Sequence, residues 1–282
     1  MPKIRYFFKI IVFSQFILTG ANAADTQSQE PVTLGVFPYV SPGQLVKFHT
    51  DLKDMLATAL GRDVVLVTAP SFKQFVGRTK KSSYDFIMTA PHLGRLAEVR
   101  DGYRPIAHTM HEVQGVYLVK KSSSIKELKD LEGKTITMVG RTALITQMVE
   151  KQLKELGLEN GKNITFRFTK THNNAMYAPL RDESDASVTG ILLWRKIGQV
   201  DSNNKIRLIS KSPVSIGFQV MAAKNVSQED FDKVKKTLLN FHNTKHGKAY
   251  MEKTGFKYFD RVDEQEKKEL DPFIKVFLKK KK

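Results

Sequence analysis

A short apolar strand pattern that runs through a polar turn into a helix recurs along this chain, and it constrains the fold more than any other feature. The clearest copy is residues 84–94 (YDFIMTAPHLG), where residues 86–88 are apolar and include a β-branched residue, as in a buried strand. Pro91 then suits the first turn of a helix, where its missing N–H is not needed. Similar turns follow at residues 140–143 and at Gly190.

These repeated units predict an α/β fold built from parallel-rich sheets covered by helices. Ligands of such folds lie beyond the carboxyl ends of the strands. The first N–H groups of a helix lack intrahelical acceptors and, with the positive end of the helix dipole, attract anions. One such turn is an ordinary strand-to-helix connection, but three of them, with Tyr39 after the first strand, offer four candidate walls of one site.

Residues 1–23 are expected to be a signal peptide and not part of the fold. A basic segment is followed by a short apolar run at residues 10–18 and by small residues at 21–23, which predicts cleavage after Ala23. The apolar run is short for a membrane span, and an uncleaved anchor is the alternative. Because the chain has no cysteine to carry a lipid, we expect a protein that is free in the periplasm.

Composition and charge narrow the function classes further. The 282 residues, 41% of them hydrophobic, suit one large or two medium domains. The absence of cysteine excludes disulfide bonds, thiolate zinc sites and a cysteine nucleophile. The formal charge is +17, with a lysine run at 279–282. In an exported protein this charge favours anionic ligands and surfaces, and no nucleic-acid partner is expected.

Capping patterns predict where several helices begin. Ser71 and Ser227 each precede an amphipathic segment and are predicted N-caps. Ser124 with Glu127 matches the capping box. Thr142 is an expected cap of the helix after the second strand-to-helix turn, and it can also contact a ligand there.

Three stretches of the chain resemble the solute-binding proteins of phosphate, phosphite and phosphonate ABC importers. They are residues 32–42 (VTLGVFPYVSP), 84–97 (YDFIMTAPHLGRLA) and 124–134 (SIKELKDLEGK). The order of predicted elements from Val32 to about Phe277 fits the same family. These motifs indicate the family well and the ligand poorly.

The resemblance implies a type II periplasmic binding protein fold, with two lobes, two hinge crossings and a ligand cleft between the lobes. By analogy, lobe one is residues 31–115 plus 214–282 and lobe two is residues 116–213, with hinges near 116–120 and 208–214. A ligand that contacts both lobes would favour the closed state, and a membrane permease would recognise that state. The partners implied are a small anionic ligand and that permease, and a monomer is expected.

This sequence keeps some of the site residues that the family resemblance implies and lacks others. Tyr39 keeps the aromatic residue after the first strand, and His172 keeps the histidine that opens a short helix of lobe two. The family's hydroxyl-rich turn falls at residues 141–143, where only Thr142 has a hydroxyl. The tyrosine expected after Pro91 falls at Gly94 and is absent.

Other side chains can replace the missing hydroxyls. Arg141 stands at a helix start, where a cation opposes the dipole, so an anion-binding role and a solvent-facing arginine are both open. His92 either donates to an anion or caps its turn. The acidic residues that hold an aminoalkyl group in some members of the family are missing near Thr189 and Gly190, which argues against an aminoalkylphosphonate. The candidate ligand residues are Tyr39, His92, Arg141, Thr142, His172 and Thr189.

Two histidine pairs invite a metal interpretation, His108 with His111 and His242 with His246. The first pair flanks a strand end, so its members would face opposite ways. The second has helical i,i+4 spacing, but no third ligand nearby completes it. We therefore expect no metal and no other cofactor.

Three functions compete at this stage. The first is the periplasmic binding protein of an importer for a small phosphorus oxyanion. The second is a receptor of the same fold that feeds a sensor kinase, with which the sequence is equally compatible. The third is an exported enzyme, but the chain has no G-x-S-x-G elbow, Walker loop or H-E-x-x-H helix, so catalysis is not expected.

Overall fold

Two β-sheets with helices on their faces organise residues 30–198 and 205–278, the part of the chain that the computed structural model describes. The predicted leader at residues 1–23 and the lysine run at 279–282 lie outside the described residues. The strands are β1 (Val32–Val36), β2 (Val64–Val67), β3 (Phe86–Thr89), β4 (Arg104–Thr109), β5 (Val113–Lys120), β6 (Thr135–Val139), β7 (Thr165–Thr169), β8 (Ala186–Gly190), β9 (Ile206–Ser215), β10 (Gln219–Ala222) and β11 (Phe259–Asp260).

Helices of very different length connect these strands. They are α1 (Pro42–Leu60), α2 (Phe72–Lys80), α3 (Pro91–Leu96), α4 (Leu144–Glu155), α5 (His172–Met176), α6 (Ile191–Leu193), α7 (Gln228–Asn240), α8 (Lys245–Thr254) and α9 (Glu264–Leu278). Helix α3 continues as a π-helical turn over Ala97–Asp101, and α6 does so over Trp194–Gly198. Within the described ranges, no helix combines the length and the apolar character needed to cross a membrane.

The first sheet has the strand order β11-β4-β10-β3-β1-β2, and the second has the order β7-β6-β8-β5-β9. Three neighbouring strands of each sheet are parallel, β2-β1-β3 and β7-β6-β8, as the strand–helix alternation predicts. The remaining pairs are antiparallel, so the sheets are more mixed than predicted. The reason is the route of the chain: β4 leaves the first sheet and β10 returns to it, while β5 enters the second sheet and β9 leaves it.

The chain passes between the sheets at residues 110–112 and 216–218. Hydrogen bonds join the end of β4 to the second crossing. The N–H of Thr109 donates to the carbonyl oxygen of Phe218 at 2.8 Å, and the N–H of Phe218 donates to the Thr109 hydroxyl oxygen at 2.9 Å. A Cβ at Gly217 would overlap the carbonyl oxygen of Thr109, so glycine is required for this approach.

The hinges expected near residues 116–120 and 208–214 instead lie inside β5 and β9. These strands pair from Val113 opposite Ser215 to the far end of β5. A ladder of hydrogen bonds joins the two strands along this stretch, whereas residues 110–112 and 216–218 lie outside the strands. Strand β5 begins at Val113 and β9 ends at Ser215, close to the predicted limits of lobe two at residues 116 and 213.

Apolar side chains of alternating strand positions cover both faces of each sheet. In β3, Phe86 and Met88 point into a core with α1, α7 and α8, whereas Ile87 points into a core with α2 and α3. In β5, Tyr117 packs toward α4 and Leu118 packs toward α5 and α6. This two-residue period places each strand between two helix layers.

The terminal helix α9 contacts the cores of both lobes. Leu270 packs in a core of the second sheet and Ile274 in a core of the first. Lys267 bonds Glu98 at 2.8 Å, which ties α9 to the end of the α3 segment. Helix α9 was assigned to lobe one from the family, and its contacts join it to both.

Candidate functional site

A cavity of about 340 Å³ lies between the two sheets. Its wall includes residues that follow four parallel strands: Phe37 after β1, Ala90 after β3, Ala143 after β6 and Gly190 at the end of β8. The crossings add further residues to the wall. The cavity therefore lies beyond the carboxyl ends of the strands, where ligands of such sheets bind.

Four helices begin at this cavity without a side-chain cap. Their N-cap residues are Ser41 of α1, Ala90 of α3, Ala143 of α4 and Gly190 of α6. Helices α2 and α5 begin at its edge as well, but side chains cap them at Ser71 and Thr171. Because the first N–H groups of an uncapped helix have no intrahelical acceptor, the starts of the two longer helices, α1 and α4, can donate to an anion in the cavity.

The predicted caps have mixed outcomes. Ser71 and Ser227 each accept a hydrogen bond from the third residue after them, which confirms both as N-caps. The predicted box of Ser124 with Glu127 is wrong, because Glu127 is itself the N-cap and pairs with Asp130. A short 3₁₀ turn begins there, later than the pattern predicts.

Thr142 does not cap α4. The N-cap is Ala143, one residue later, and Thr142 is exposed. Its carbonyl oxygen accepts hydrogen bonds from His92 Nε2 at 2.8 Å and from Gln147 Nε2 at 3.4 Å. Thr142 thus joins the two lobes through its backbone, and its side chain does not line the cavity.

Arg141 and Thr189 also lie outside the cavity wall. The Arg141 side chain is exposed, and its guanidinium lies 4.9 Å from the ring centroid of Phe168. This cation–π contact favours the solvent-facing alternative for Arg141. Thr189 is fully buried, and its hydroxyl donates to the carbonyl oxygen of His172 at 3.2 Å. Its hydroxyl is therefore used inside the second lobe.

Tyr39 lines the cavity with its ring, while its hydroxyl faces a buried chain of hydrogen bonds. The Tyr250 hydroxyl donates to the sulfur of Met88 at 3.6 Å, because a thioether can only accept. His49 Nδ1 lies 3.0 Å from the Tyr250 hydroxyl oxygen, and His49 Nε2 lies 2.8 Å from the Tyr39 hydroxyl oxygen. The Tyr39 hydroxyl is thus hydrogen-bonded to His49, and Tyr39 presents its ring to the cavity.

His92 and His172 line the cavity from opposite lobes. His92 Nε2 carries a proton, because its partner is the carbonyl oxygen of Thr142. The Nδ1 atoms of His92 and His172 are buried and have no partner. Burial lowers the pKa of each imidazole to about 4, so both are neutral at pH 7. They can take part in neutral hydrogen bonds but supply no positive charge.

The sequence pointed to one aromatic wall residue, and the cavity has a cluster of them. The ring of Phe218 contacts those of Phe37, Tyr39 and His111 at centroid distances of 4.8, 5.1 and 4.8 Å. Phe256 stacks on His111 at 4.6 Å. The order of elements alone does not place these residues together, because Phe218 and Phe256 approach β1 only through the second crossing and the return of the chain.

The side chain of Gln219 lies beside Gly94, the position at which the tyrosine expected from the family is missing. Gly94 is buried in α3, and a Cβ there would overlap the side-chain amide of Gln219 at the start of β10. Gln219 thus fills the space beside Gly94, and a larger residue at that position would have to displace it.

No group of three or more histidine or acidic side chains within the described ranges could hold a metal ion. His111 packs on Phe218 and Phe256, and the hydroxyl of Thr109 lies 2.7 Å from its Nδ1. Burial, with a smaller contribution from His108, lowers the pKa of His111 to about 3. His111 is therefore a packed, neutral member of the cavity wall.

Comparison with known proteins places this architecture in a family. The model of the family described as "ABC transporter, phosphonate, periplasmic substrate-binding protein" matches residues 34–266, which is most of the chain. No curated protein sequence matches the chain.

Solved structures of similar fold include phosphonate-binding proteins. PhnD1 of Prochlorococcus marinus, in complex with methylphosphonate, has a TM-score of 0.76 at 17% identity and covers 87% of this chain and 97% of its own. The binding protein component of an ABC phosphonate transporter of Pseudomonas aeruginosa has a TM-score of 0.76 at 14% identity, with 86% and 85% covered. A protein from Xanthomonas citri bound to ATP has a TM-score of 0.71 at 13% identity, with 86% and 94% covered.

The fold agrees with type II periplasmic binding proteins, as the resemblance predicted. Proteins of the matched family reside in the periplasm, bind a small ligand, work with a membrane permease and are not enzymes as a class. The chain belongs to the family of periplasmic substrate-binding proteins of phosphonate ABC transporters, and it is the solute-binding component of an ABC importer.

Proposed function

We propose that this protein binds a phosphorus oxyanion in the cavity between its lobes and presents the closed form to a membrane permease. One observation carries the proposal: uncapped starts of α1 from the first lobe and α4 from the second both lie at the same cavity. An oxyanion there would accept hydrogen bonds from both lobes at once. Such a ligand has a higher affinity for the closed state and shifts the population toward it.

Backbone N–H groups are the proposed main donors. The amides of Leu144 and Ile145 at the start of α4 belong to residues of the cavity wall. Helix α4 has no acidic residue in its first turn to compete with an anion. Among the candidate side chains, we retain His92, His172 and Tyr39 as wall residues and give Arg141, Thr142 and Thr189 no side-chain contact with the ligand.

The printed ligands of similar structures support an oxyanion of phosphorus. One neighbour holds methylphosphonate and another holds ATP, and both ligands carry phosphorus oxygens. The shared chemistry is the oxyanion, while the size of the attached group differs widely. The same fold can therefore receive oxyanions with very different substituents.

The transport cycle follows from the two lobes. We place the lobe boundaries at the crossings, residues 110–112 and 216–218, and expect bending there. Export would remove residues 1–23 by cleavage after Ala23, and the mature protein would act as a monomer. We take the permease of an importer as its partner and not a sensor kinase, and catalysis is not part of the proposal.

Isothermal titration of the purified protein against phosphite, phosphate, methylphosphonate, phenylphosphonate and sulfate tests the proposal. At least one phosphorus compound should bind with one-to-one stoichiometry and more tightly than sulfate. Heat signals for none of the phosphorus compounds would refute it. Recovery of a kinase instead of a permease from cross-linked membranes would replace the importer partner with a sensor.

A further inference from the structure

The cavity wall is apolar on both sides. In the first lobe, the ring of Phe37 lies 5.9 Å from that of Phe72 and 4.8 Å from that of Phe218. The second lobe contributes Leu144 and Ile145 to the same cavity. Water against such surfaces is unfavourable, and an apolar group that displaces it is stabilised in proportion to the area it covers.

Several polar side chains of the wall donate inside the protein. The amide of Gln114, the hydroxyl of Thr254 and the ammonium of Lys196 donate to backbone carbonyl oxygens at 2.8, 2.7 and 2.7 Å. The donor atoms of these three side chains are thus bonded to the protein's own backbone. They contribute little free polar surface for a substituent of the ligand.

The two charged side chains that line the cavity, Glu112 and Lys196, each have a partner in the protein. Glu112 lines the cavity, but its carboxylate is 3.3 Å from the guanidinium of Arg195, outside the wall. The imidazoles of His92, His111 and His172 are neutral at pH 7 because burial lowers the pKa of each. A substituent that carries an ammonium group would lose its hydration without gaining a free carboxylate.

The size of the cavity exceeds what a bare oxyanion needs. Its volume of about 340 Å³ falls in the range of roughly 300–1,000 Å³ that is typical of sites for drug-sized ligands. Phosphate, phosphite or methylphosphonate held at the helix starts would leave most of the aromatic surface in contact with water. A larger apolar substituent would cover it.

We infer that the ligand is a phosphorus oxyanion that carries an apolar organic group about as large as a butyl chain or a phenyl ring. The oxyanion lies at the uncapped helix starts, and the apolar group lies against the rings of Phe37, Phe72 and Phe218. This inference rests on the proposed function and adds the class of substituent to it.

A series of phosphonates tests the inference on the full-length mature protein. Titration calorimetry should show that affinity rises about fourfold for each methylene, and so about 50-fold from methylphosphonate to butylphosphonate. Phenylphosphonate should bind as tightly as butylphosphonate. Propylphosphonate should bind at least tenfold more tightly than 2-aminoethylphosphonate, which has nearly the same shape but carries an ammonium group.

A pair of phenylalanine variants locates the apolar subsite. Phe72→Ala should lower the affinity for phenylphosphonate about tenfold and that for methylphosphonate less than twofold. Phe168→Ala, whose ring contacts Arg141 outside the cavity, is the matched control and should change neither affinity. Circular dichroism and thermal melting establish that both variants fold.

The outcomes separate the inference from the proposed function. Equal or tighter binding of methylphosphonate, phosphite or phosphate than of the butyl and phenyl compounds would overturn the inference and leave the function intact. Failure of every phosphorus compound to bind would overturn both. Equal losses for both ligands in Phe72→Ala, or a loss in Phe168→Ala that matches it, would also contradict the apolar subsite.

Discussion

His92 of the first lobe donates from Nε2 to the carbonyl oxygen of Thr142 in the second lobe, at 2.8 Å. The imidazole is almost completely buried, with 1% of its residue surface exposed. This hydrogen bond spans the two lobes at the edge of the cavity. It can form only while α3 and the turn before α4 stay close together, so it stabilises the closed arrangement.

Replacement of His92 by alanine should therefore weaken ligand binding. The variant loses an interlobe hydrogen bond whose net contribution is about 1 kcal/mol, which corresponds to a fivefold to tenfold loss of affinity. Calorimetric titration with phenylphosphonate measures it. His246→Ala removes an exposed histidine of α8 and should leave affinity unchanged. An affinity of His92→Ala equal to that of wild type would show that the bond does not favour closure.

Acid should destabilise the fold at pH values where most carboxylates are still ionised. Burial lowers the pKa of His49 to about 3 and that of His92 to about 4, whereas unfolded histidine has a pKa of about 6.5. Between these values the unfolded chain binds protons that the folded chain does not. Stability is then complete above pH 6.5 and falls as the pH decreases, by about 2 kcal/mol per histidine at pH 5.

Urea unfolding at pH 7, 6 and 5 and constant ionic strength measures this slope. His92→Gln should remove its share of the pH dependence, although it also lowers stability at pH 7. The His246→Gln control should keep the full slope. A free energy of unfolding that is constant from pH 7 to pH 5 would be incompatible with buried neutral imidazoles.

Alanine at Gly217 should disturb the crossings. Its Cβ would overlap the carbonyl oxygen of Thr109, which is backbone and has little freedom to move. We expect Gly217→Ala to lose roughly 1–3 kcal/mol of unfolding free energy, as for an overpacked site. Gly77→Ala is the matched control: it lies in α2 with nothing near its Cβ, and should gain about 0.5–1 kcal/mol. Similar stability of both variants would contradict the close approach of the crossings.

A cap introduced at the start of α4 should have opposite effects on stability and on binding. In Ala143→Asp, the carboxylate can accept hydrogen bonds from the first N–H groups of α4 and stabilise the free protein by about 1 kcal/mol. The same carboxylate competes with the ligand for those amides and repels it, so affinity should fall at least tenfold. Unfolding and titration measure the two effects separately.

A cap removed elsewhere provides the control for that variant. Ser71→Ala at the start of α2 should lose about 1 kcal/mol of stability, because Ser71 accepts from the backbone N–H of Gln74. Its affinity should stay within twofold of wild type. Unchanged affinity in Ala143→Asp would show that the start of α4 does not hold the oxyanion.

Local patterns in the sequence predicted the elements that local forces determine. The strand Val64–Val67, the cap at Ser71 and the place of Pro91 in the first turn of α3 all agree with the structure. Each depends on neighbouring residues: β-branched side chains, a hydroxyl before a helix, and a missing N–H at its start. The family resemblance supplied the two-lobed arrangement, which no local pattern contains.

Long-range packing explains what the sequence did not predict. Arg141 precedes a helix, as an anion-binding residue can, but its guanidinium lies over the ring of Phe168 in β7 and Arg141 is not part of the cavity wall. Phe218 and Phe256 were not candidates, since only the folded path of the chain brings them to Phe37 and His111. The sequence alone does not show whether an apolar residue lines a cavity or lies in an ordinary core.

A crystal structure of the protein with bound phenylphosphonate would locate the oxyanion and its substituent together. We predict phosphonate oxygens within about 3 Å of the backbone nitrogens at the start of α4, with the phenyl ring against Phe72 and Phe218. A phosphonate bound instead to Arg141 on the outer surface, or a ring turned to solvent with the aromatic wall uncovered, would contradict it.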